Sequence, residues 1–366
     1  MTGHLAFGPE PVAAAVPDAT PGSPVLDIRD LSVVYRTAAG DVRAVNHVTL
    51  DLNAGEVVGL VGESGSGKST LAYGAGRLLR PPALITSGAV RYRGRRTAGT
   101  ADILRMSPHQ LQQLRWREIA IVFQSAMNAL NPVLSVRNQL TDVIRTHLQV
   151  SRAEADDRAA QLMDTVGIPR ARLRSYPHQL SGGMRQRVMI AMALATDPEI
   201  VIMDEPTTAL DVVVQRDILV QIVELKERLG FSILFITHDL SLLLELADRI
   251  AVMYAGQLLE VGTADAIQHG AAHPYTKGLL NSFPSLRGSR RELAGIPGSP
   301  PDLRDPSPGC PFLPRCGYGT DECTTVPMTL APVNGAAGLG QLTTCPFVGP
   351  GEPARPVRAD GEEVTP

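Results

Sequence analysis

The sequence predicts an α/β fold in which helices cover a sheet of parallel strands. Two continuous apolar segments, EIVIMDEP and FSILFITHD, are typical of strands that are buried on both faces. A helical pattern, VVVQRDILVQIVELKERLG, lies between them. Strand, helix and strand at this spacing indicate a parallel crossover. A third buried strand, VVGLVG, leads directly into a glycine-rich loop and a helical stretch, which suits the same sheet.

Further strands and two irregular segments complete the predicted order. LDIRDLSVVYR alternates polar and apolar residues, and AVNHVTLDLNAGEVVGLVG adds two strands joined by a turn at residues 53–55. IAVMYAGQLLEVGT predicts a hairpin. Residues 1–24 are rich in Pro, Ala and Gly, and we expect a disordered leader there. After about residue 284 the frequent Pro and Gly residues exclude a helix or a central strand.

Composition excludes several classes of protein. The 366 residues are 44% hydrophobic, which is enough for a substantial core. Because 34 basic residues are balanced by 37 acidic ones, the net charge of −3 gives no global attraction to nucleic acid or to an anionic membrane. No segment reaches the roughly 18 uncharged apolar residues of a membrane span, and the first residues lack the basic flank of a signal peptide. We therefore expect the protein to stay in the cytoplasm.

The glycine-rich loop has the pattern G-x-x-x-x-G-K-[ST], between a strand and a helix. Its glycines allow backbone N–H groups to converge on phosphate oxygens, and the helix N-terminus adds a positive dipole end. Lys68 is expected to reach the β- and γ-phosphates of a nucleotide, and Ser69 to bind Mg²⁺. The residues predicted to surround the phosphates are Gly62, Glu63, Ser64, Gly65, Ser66, Gly67, Lys68, Ser69 and Thr70.

Two carboxylates follow the apolar part of EIVIMDEP. Asp204 is placed where it can hold Mg²⁺, directly or through water. Glu205 comes next and can polarise an attacking water as a general base. Acids also cap ordinary strand ends, but in a chain that contains a phosphate-binding loop the catalytic interpretation is favoured. The sequence therefore predicts hydrolysis of a nucleotide with Mg²⁺.

A second anion-binding pattern occurs in LSGGMRQR, where Ser181, Gly182 and Gly183 begin a helix. One nucleotide does not need two phosphate cradles from one chain. The economical explanation is a dimer in which the second cradle of each chain closes over the nucleotide of its partner.

At this point the chain closely resembles the ATP-binding subunits of ABC transporters over residues 25–265. GESGSGKS resembles the Walker A motif, IVIMDE the Walker B motif, and LSGGM the signature LSGGQ, with Met184 in place of Gln. The remaining motif residues match by order and spacing. They are the adenine-stacking aromatic Tyr35, the Q-loop glutamine Gln124, the D-loop Ala209 to Asp211, and the H-loop histidine His238.

The resemblance implies a P-loop NTPase core of ABC type, with a mixed sheet, an antiparallel β subdomain and a helical subdomain at about 125–195. It implies a head-to-tail dimer with two ATPs at its interface, in which Ser181, Gly182 and Gly183 contact the γ-phosphate of the opposite subunit. His238 would contact the γ-phosphate in cis, and Gln124 would sense Mg²⁺ and relay closure to the membrane subunits. Met184 leaves the backbone cradle intact, so we expect activity to survive.

Other segments resemble the ATPases of dipeptide and oligopeptide importers, among them FQSAMNALNPVLSV, HPYTKGLLNSFPS and GCPFLPRC. This resemblance implies a nucleotide-binding domain at 25–270 and an importer extension at 271–366. It implies a second, related ATPase subunit, two permease subunits, an extracytoplasmic peptide-binding protein, no nucleic acid partner, and a peripheral position on the cytoplasmic side of the membrane. Nickel importers belong to the same branch, and a soluble iron–sulfur ATPase with a regulatory role is a further alternative.

All four cysteines lie in the extension, at Cys310, Cys316, Cys323 and Cys345. The C-x2–4-C knuckles of structural zinc sites are absent, whereas wider spacing with two Cys-Pro pairs suits a [4Fe–4S] cluster. Some peptide-importer ATPases carry such a cluster in this extension, so the resemblance implies the same group. Zn²⁺ and reduced, merely packed cysteines are the alternatives. We expect a structural clip, and an ATP site in a domain with a separate core.

Overall fold

The computed structural model describes residues 24–97, 99–124, 129–207, 210–282, 295–306, 308–333 and 340–347. The predicted leader, residues 1–24, lies outside these ranges except for its last residue. In the described residues, eight strands form the larger of two sheets. They are β3 Val57–Val61, β6 Ile119–Val122, β7 Ile200–Asp204, β8 Ser232–Thr237, β9 Arg249–Tyr254, β10 Gln257–Thr263, β11 Ala331–Pro332 and β12 Leu342–Thr343.

The order of strands in this sheet is β11-β12-β10-β9-β3-β8-β7-β6. The five strands from β9 to β6 are parallel, which confirms the predicted crossovers. β10 pairs with β9 in antiparallel register through a tight turn at Ala255 and Gly256, so the predicted hairpin is also confirmed. The sheet is therefore mixed, with its antiparallel strands along one edge.

A smaller antiparallel sheet is formed by the first strands of the described chain. Its order is β2-β1-β4-β5, with β1 at Leu26–Thr37, β2 at Gly40–Leu52, β4 at Ala83–Tyr92 and β5 at Ala101–Asp102. β1 coincides with the alternating segment LDIRDLSVVYR, and β2 overlaps the first strand predicted in AVNHVTLDLNAGEVVGLVG. The sheet packs against the helix that follows the glycine-rich loop, because Leu31 and Val33 share a hydrophobic cluster with Leu71 and Ala72 of that helix.

Helices cover the larger sheet and form a lobe between β6 and β7. The helices of the described residues are α1 Lys68–Ala75, α2 Pro108–Leu114, α3 Val136–Leu148, α4 Arg152–Thr165, α5 Gly182–Ala193, α6 Val212–Leu229, α7 Leu240–Leu246, α8 Ala264–Gly270 and α9 Pro274–Asn281. Hydroxyl and carboxylate caps define where several begin. Ser151 and Glu154 form a capping box at α4, and Asp211 accepts a hydrogen bond from the backbone N–H of Val214 at the start of α6.

The central strands divide the core into two halves. Val57 and Val61 of β3 pack into one hydrophobic cluster with the helical lobe, whereas Val58 and Leu60 pack into a second cluster with the antiparallel sheet. β7 and β8 alternate in the same way. Burial on both faces explains why these strands are continuous apolar segments in the sequence.

The C-terminal extension contains only short elements in its described part. β12 adds to the outer edge of β10, with Thr343 opposite Glu260 and Leu342 opposite Val261, and β11 pairs with β12. Single 3₁₀ turns occur at Leu313–Arg315 and Asp321–Thr324. This agrees with the prediction from its proline and glycine content.

The expectation of a separate core for the ATP-binding domain is wrong. Phe312 of the extension is 3% exposed and belongs to the same hydrophobic cluster as the central strands. Its ring lies 5.5 Å from that of Tyr254 in β9 and 5.3 Å from that of Tyr275 in α9. A segment with so few apolar residues gains its burial by joining the existing core.

Within the part of the chain that the structure describes, no helix has both the length and the apolar character needed to cross a bilayer.

Candidate active site

The glycine-rich loop joins the carboxyl end of β3 to the first residue of α1. A Cβ atom on Gly62 would lie 2.0 Å from the carbonyl oxygen of Met253, and one on Gly67 would lie 2.1 Å from that of Ala44. Gly67 also has a φ of 103°. No side chain fits at either position. The loop therefore packs against β2 and β9, while Ser64 and Gly65 are exposed at its crest.

Lys68 lies beneath the loop, and its side chain folds back onto it. Its Nζ donates hydrogen bonds to the carbonyl oxygens of Gly62 at 2.7 Å and Glu63 at 2.8 Å, and contacts the Ser66 hydroxyl at 3.4 Å. Burial lowers the pKa of Lys68, whereas the charges of Glu205, Asp204 and Glu63 oppose that shift. The ammonium group is thus held inside the loop in which phosphates would bind.

Asp204 ends β7 and is fully buried. One of its carboxylate oxygens accepts a hydrogen bond from the Ser69 hydroxyl at 3.0 Å, and the other from the Tyr73 hydroxyl at 2.7 Å. Two oxygen ligands at right angles on Mg²⁺, each about 2.1 Å from the ion, lie about 3 Å apart. The separation of Ser69 and Asp204 therefore suits a pair that holds this ion.

Glu205, a predicted catalytic residue, contacts two other predicted site residues. Gln124 donates to one oxygen of its carboxylate at 3.1 Å, and the Nδ1 atom of His238 lies 3.3 Å from the other. Glu205 has a φ of 44°, a strained value for a residue other than glycine. Its backbone N–H is fixed by the carbonyl oxygen of Ile236 at 2.9 Å.

The strand order explains why residues so distant in sequence meet. Gln124 follows β6, Glu205 follows β7, His238 follows β8, and the glycine-rich loop follows β3. These four strands are parallel neighbours, so their carboxyl ends lie side by side. They form the edge of the sheet that runs across the strands, as opposed to the outer edge along β11. Ligands bind at such an edge in open α/β sheets.

Tyr35 lies in β1, next to the start of α1, where its hydroxyl is 3.1 Å from that of Thr70. The half-buried ring lies near the phosphate loop. Its stacking on adenine remains a prediction.

The signature residues form a different surface. Ser181 caps α5 by accepting a hydrogen bond from the backbone N–H of Met184 at 3.3 Å. Gly183 approaches Val214, so that a Cβ atom on it would lie 2.8 Å from the Val214 side chain. Asp211 caps the adjacent α6. The predicted D-loop begins outside the described residues, because Ala209 is not among them.

An open cleft lies next to Ser181 and Asp211 and is lined by residues of α5, α6 and the turn after α4. None of its lining residues belongs to the glycine-rich loop. Its lining residues include Gly167, Ser181, Gly182, Gly183, Met184, Arg187, Asp211 and Asp217.

Three residues that contact the site were missed by the sequence analysis. Tyr73 donates to Asp204. Tyr275 accepts a hydrogen bond from the backbone N–H of Glu63 at 2.9 Å, and Arg315 forms two hydrogen bonds with the Glu63 carboxylate at 2.8 and 3.0 Å. Tyr275 and Arg315 lie in HPYTKG and FLPRC, within two of the segments that resemble peptide importers. Nothing in their local pattern indicates that they contact the phosphate loop.

The four cysteines come together in the described part of the extension, and each is partly buried. Burial raises the pKa of the Cys310 and Cys316 thiols to about 11 each, and the neighbouring sulfurs add to the shift. The backbone N–H groups of Phe312 and Tyr318 oppose it by donating to these two sulfurs. His273, fully buried, has its Nε2 atom 4.0 Å from the Cys310 sulfur.

These contacts do not amount to a metal site. Among the described residues, no group of three or more His, Cys, Asp or Glu side chains is placed to hold a metal ion. Four thiols are the right donors for a [4Fe–4S] cluster or for zinc, but their arrangement does not support the predicted cluster.

Comparisons with known proteins agree with this geometry. Residues 45–208 match the family model described as ABC transporter, and residues 259–323 match that described as Oligopeptide/dipeptide transporter, C-terminal region. The oligopeptide transport ATP-binding protein OppD of Bacillus subtilis is 44% identical over 298 residues, which cover 80% of this chain and 82% of that protein. OppD of Escherichia coli is 43% identical over 305 residues, covering 83% and 88%.

The chain belongs to the family of oligopeptide transport ATP-binding proteins. Its enzymatic activity is that of an ABC-type ATPase, with ATP as substrate and Mg²⁺ as the expected ion. These relatives favour neither a soluble iron–sulfur regulator nor a nickel importer.

Solved structures support the fold assignment. The ATP-binding cassette MJ0796, in a dimeric structure bound to ADP and Pi, has a TM-score of 0.57 and 28% identity, covering 65% of this chain and 98% of that one. CbiO1 from Clostridium perfringens has a TM-score of 0.58 and 27% identity, covering 67% and 90%. This confirms the predicted P-loop core of ABC type.

Proposed function

We propose that this chain is the ATP-hydrolysing subunit that powers import of di- or oligopeptides through a membrane ABC transporter. The observation that carries the proposal is the convergence of Lys68, Ser69, Asp204 and Glu205 at one edge of the sheet, in a chain whose extension matches the peptide-transporter model. Closure of a head-to-tail dimer around ATP would drive transport, and the cassette MJ0796 provides an example of a dimer.

Each residue of the cis site has a proposed role. Lys68 leaves its carbonyl partners to bind the β- and γ-phosphates, and the loop amides from Gly62 to Thr70 surround them. Ser69, Asp204 and Gln124 hold Mg²⁺, which neutralises phosphate charge when bound. Tyr35 stacks on adenine.

Hydrolysis needs a base close to the γ-phosphate. Glu205 accepts the proton of the attacking water, and His238, which lies beside its carboxylate, contacts the γ-phosphate. Gln124 contacts the same carboxylate, so movement of the Q-loop would alter the position of the base.

The trans site consists of Ser181, Gly182, Gly183 and Met184 from the partner subunit, with Asp211 of the D-loop beside it. The cleft next to α5 supports this assignment, because its residues do not belong to the phosphate loop of the same chain. The start of a twelve-residue helix also suits an anion. Met184 contributes its backbone N–H to the capped turn, so glutamine is not required for the cradle.

The proposed assembly contains a second, related ATPase subunit, two permease subunits and an extracytoplasmic peptide-binding protein. The chain would lie peripherally on the cytoplasmic side of the membrane. We propose domain limits of 25–270 for the nucleotide-binding domain, with a helical subdomain at about 125–195, and 271–366 for the extension.

The test of this proposal compares two variants in the assembled transporter and in the isolated chain. Lys68→Ala should weaken ATP binding to the isolated chain. Ser181→Arg should leave that binding nearly unchanged but block hydrolysis in the assembly, because the arginine occupies the partner's phosphate site. Equal loss of ATP affinity in the two isolated variants would contradict the trans arrangement.

The transported substrate is tested in cells that lack this subunit. Uptake of a labelled oligopeptide should return with the wild-type chain and not with Lys68→Ala. Restored uptake of nickel ions without uptake of peptide would contradict the peptide assignment.

For the extension, we propose that Cys310, Cys316, Cys323 and Cys345 bind one [4Fe–4S] cluster that serves as a structural clip. The proposal rests on the chemistry of four thiols in one short segment, which are the usual ligands of such a cluster, and not on their present arrangement, which is not that of a metal site among the described residues.

Metal analysis of the chain purified without oxygen tests the cluster. A brown protein with about four iron and four sulfide per chain is expected. A colourless protein with one zinc would favour a Cys₄ zinc site instead, and a metal-free protein with four reactive thiols would show that the cysteines only pack.

A further inference from the structure

Arg315 belongs to the extension, directly before Cys316, yet its side chain is only 5% exposed. It makes five hydrogen bonds. The guanidinium donates to both oxygens of the Glu63 carboxylate, to the Tyr254 hydroxyl at 3.1 Å, and to the carbonyl oxygens of Pro297 at 2.7 Å and Ile296 at 3.3 Å. An arginine side chain has five N–H donors, so the full donor capacity is used. The side chain is therefore held in one position.

Glu63 is the second residue of the phosphate loop, and three elements hold it. Its carboxylate pairs with Arg315, its backbone N–H donates to Tyr275, and its carbonyl oxygen accepts from Lys68. The Glu63 charge is close enough to Lys68 to oppose the lowering of the Lys68 pKa. A negative charge thus lies beside the lysine that is meant to bind phosphate.

This charge would repel a polyphosphate if it were not neutralised. In the half-buried setting of Glu63, the low local dielectric strengthens that repulsion. Arg315 supplies the opposite charge in the two-pronged geometry that fits a carboxylate. The other loop residues expected around the phosphates are glycines, serines, a threonine and Lys68, so none of them adds a negative charge.

We propose that Arg315 is a positioning residue for the nucleotide site: it neutralises Glu63 and fixes the Glu63 peptide, so that the phosphate loop accepts ATP. The inference rests on the proposed nucleotide site and adds to it the dependence of that site on the extension. By reciprocal linkage, ATP binding should also tighten the packing of residues around Arg315.

The competing explanation is that Arg315 only anchors the extension. The two differ in what happens when Glu63 loses its charge. If Arg315 acts by neutralising Glu63, then Glu63→Gln should rescue the loss caused by Arg315→Gln. If Arg315 is only an anchor, removing its partner as well cannot restore ATP affinity.

The experiment measures the Kd of ATP for the full-length chain by calorimetry in EDTA, where no hydrolysis occurs. We expect Arg315→Gln to weaken binding about tenfold, because it leaves an unpaired, partly buried carboxylate. Glu63→Gln should tighten binding about threefold, since it leaves the positive charge beside the phosphates. The double variant should return to within about threefold of wild type.

Salt provides a second measurement on the same variants. The tenfold loss in Arg315→Gln should shrink as ionic strength rises, because screening weakens the repulsion between Glu63 and ATP. The double variant should show no such additional salt dependence.

Arg304→Gln is the matched control. Arg304 also lies in the extension and pairs with an aspartate, Asp302, but both are about half exposed and neither contacts the loop. Its Kd for ATP should equal that of wild type. Should Arg315→Gln fail to fold, Arg315→Lys keeps the charge without the paired geometry, and an intermediate loss of affinity is expected.

Each outcome decides the proposal. Wild-type affinity in Arg315→Gln, or a double variant as weak as Arg315→Gln, overturns it. If the wild-type chain binds no ATP and matches Lys68→Ala, the proposed nucleotide site itself is wrong, which is a separate result.

Discussion

Two regions of the molecule meet at Glu63 but are built in different ways. One is the edge of the sheet that carries the phosphate loop, and the other is the C-terminal extension. Along the sheet edge, functional side chains follow strands that are buried on both faces. The extension has two-residue strands and single turns in its described part, and one buried ring, Phe312, together with polar contacts holds it in place. The comparison shows that a segment with little regular structure can be held in one conformation when its side chains contact a domain that is already folded.

Glu260 shows how this support works. It lies in β10, fully buried, and accepts hydrogen bonds from the backbone N–H groups of Ala272 and His273 and from the Gln341 side chain. Gln341 also donates to the carbonyl oxygen of Gly270. One carboxylate of the main sheet therefore joins the start of α9 to the strand of the extension. Burial raises the pKa of Glu260, whereas these donors oppose the shift.

The largest expected effect is on the rate of ATP hydrolysis at the sheet edge that carries the phosphate loop. Glu205→Gln preserves shape but cannot accept a proton from water, so ATP hydrolysis should fall by roughly 10²–10⁴-fold while ATP binding persists. Turnover is measured in the assembled transporter, with Glu227→Gln on the exposed face of α6 as the control. Near-normal turnover would remove Glu205 from the role of base.

On the side of the extension, the largest effect is expected from Phe312→Ala. Removing a buried ring that touches Tyr254 and Tyr275 should cost about 3–5 kcal/mol of the free energy that holds the extension in place. Hydrogen exchange should increase in residues 308–333 and 340–347. If β8 lost its protection to the same degree, the extension and the sheet would unfold together, and the contrast drawn above would fail.

A smaller loss is expected when the polar support is removed. Glu260→Ala leaves buried donors of Ala272, His273 and Gln341 without an acceptor, which should cost about 2–3 kcal/mol. Denaturant unfolding and limited proteolysis of the extension measure the effect. Glu245→Ala is the matched control, because Glu245 forms an exposed ion pair with Arg216. Equal stability of the two variants would show that the Glu260 contacts do not hold the extension.

The smallest effect should come from the exposed pair of Arg304 and Asp302. Hydrogen bonds from Arg304 lower the pKa of Asp302 to about 2, so the aspartate is charged throughout the neutral range. Solvent screens the pair, and Arg304→Gln should leave the melting temperature unchanged within error. A clear drop in melting temperature would show that polar contacts matter across the whole extension and not only at Glu63 and Glu260.

The sequence by itself determined the elements that depend on local pattern. β3, the phosphate loop and α1 followed from an apolar run, a glycine spacing and a helix start, and β7 with Asp204 and Glu205 followed in the same way. Strand periodicity and the conformational freedom of glycine act over a few residues, so a linear sequence reveals them. The predicted pairs of parallel strands needed only the spacing of the elements.

Only the tertiary structure decided which side chains meet. Tyr73 and Asp204 are 131 positions apart, and Arg315 and Glu63 are 252 apart. These contacts depend on the strand order that places β3 between β8 and β9, and on how the extension returns to the sheet. The four cysteines were expected to sit apart from the ATP site, yet Arg315 between them contacts the phosphate loop. Such pairs arise from the packing of the whole chain, and no local periodicity encodes them.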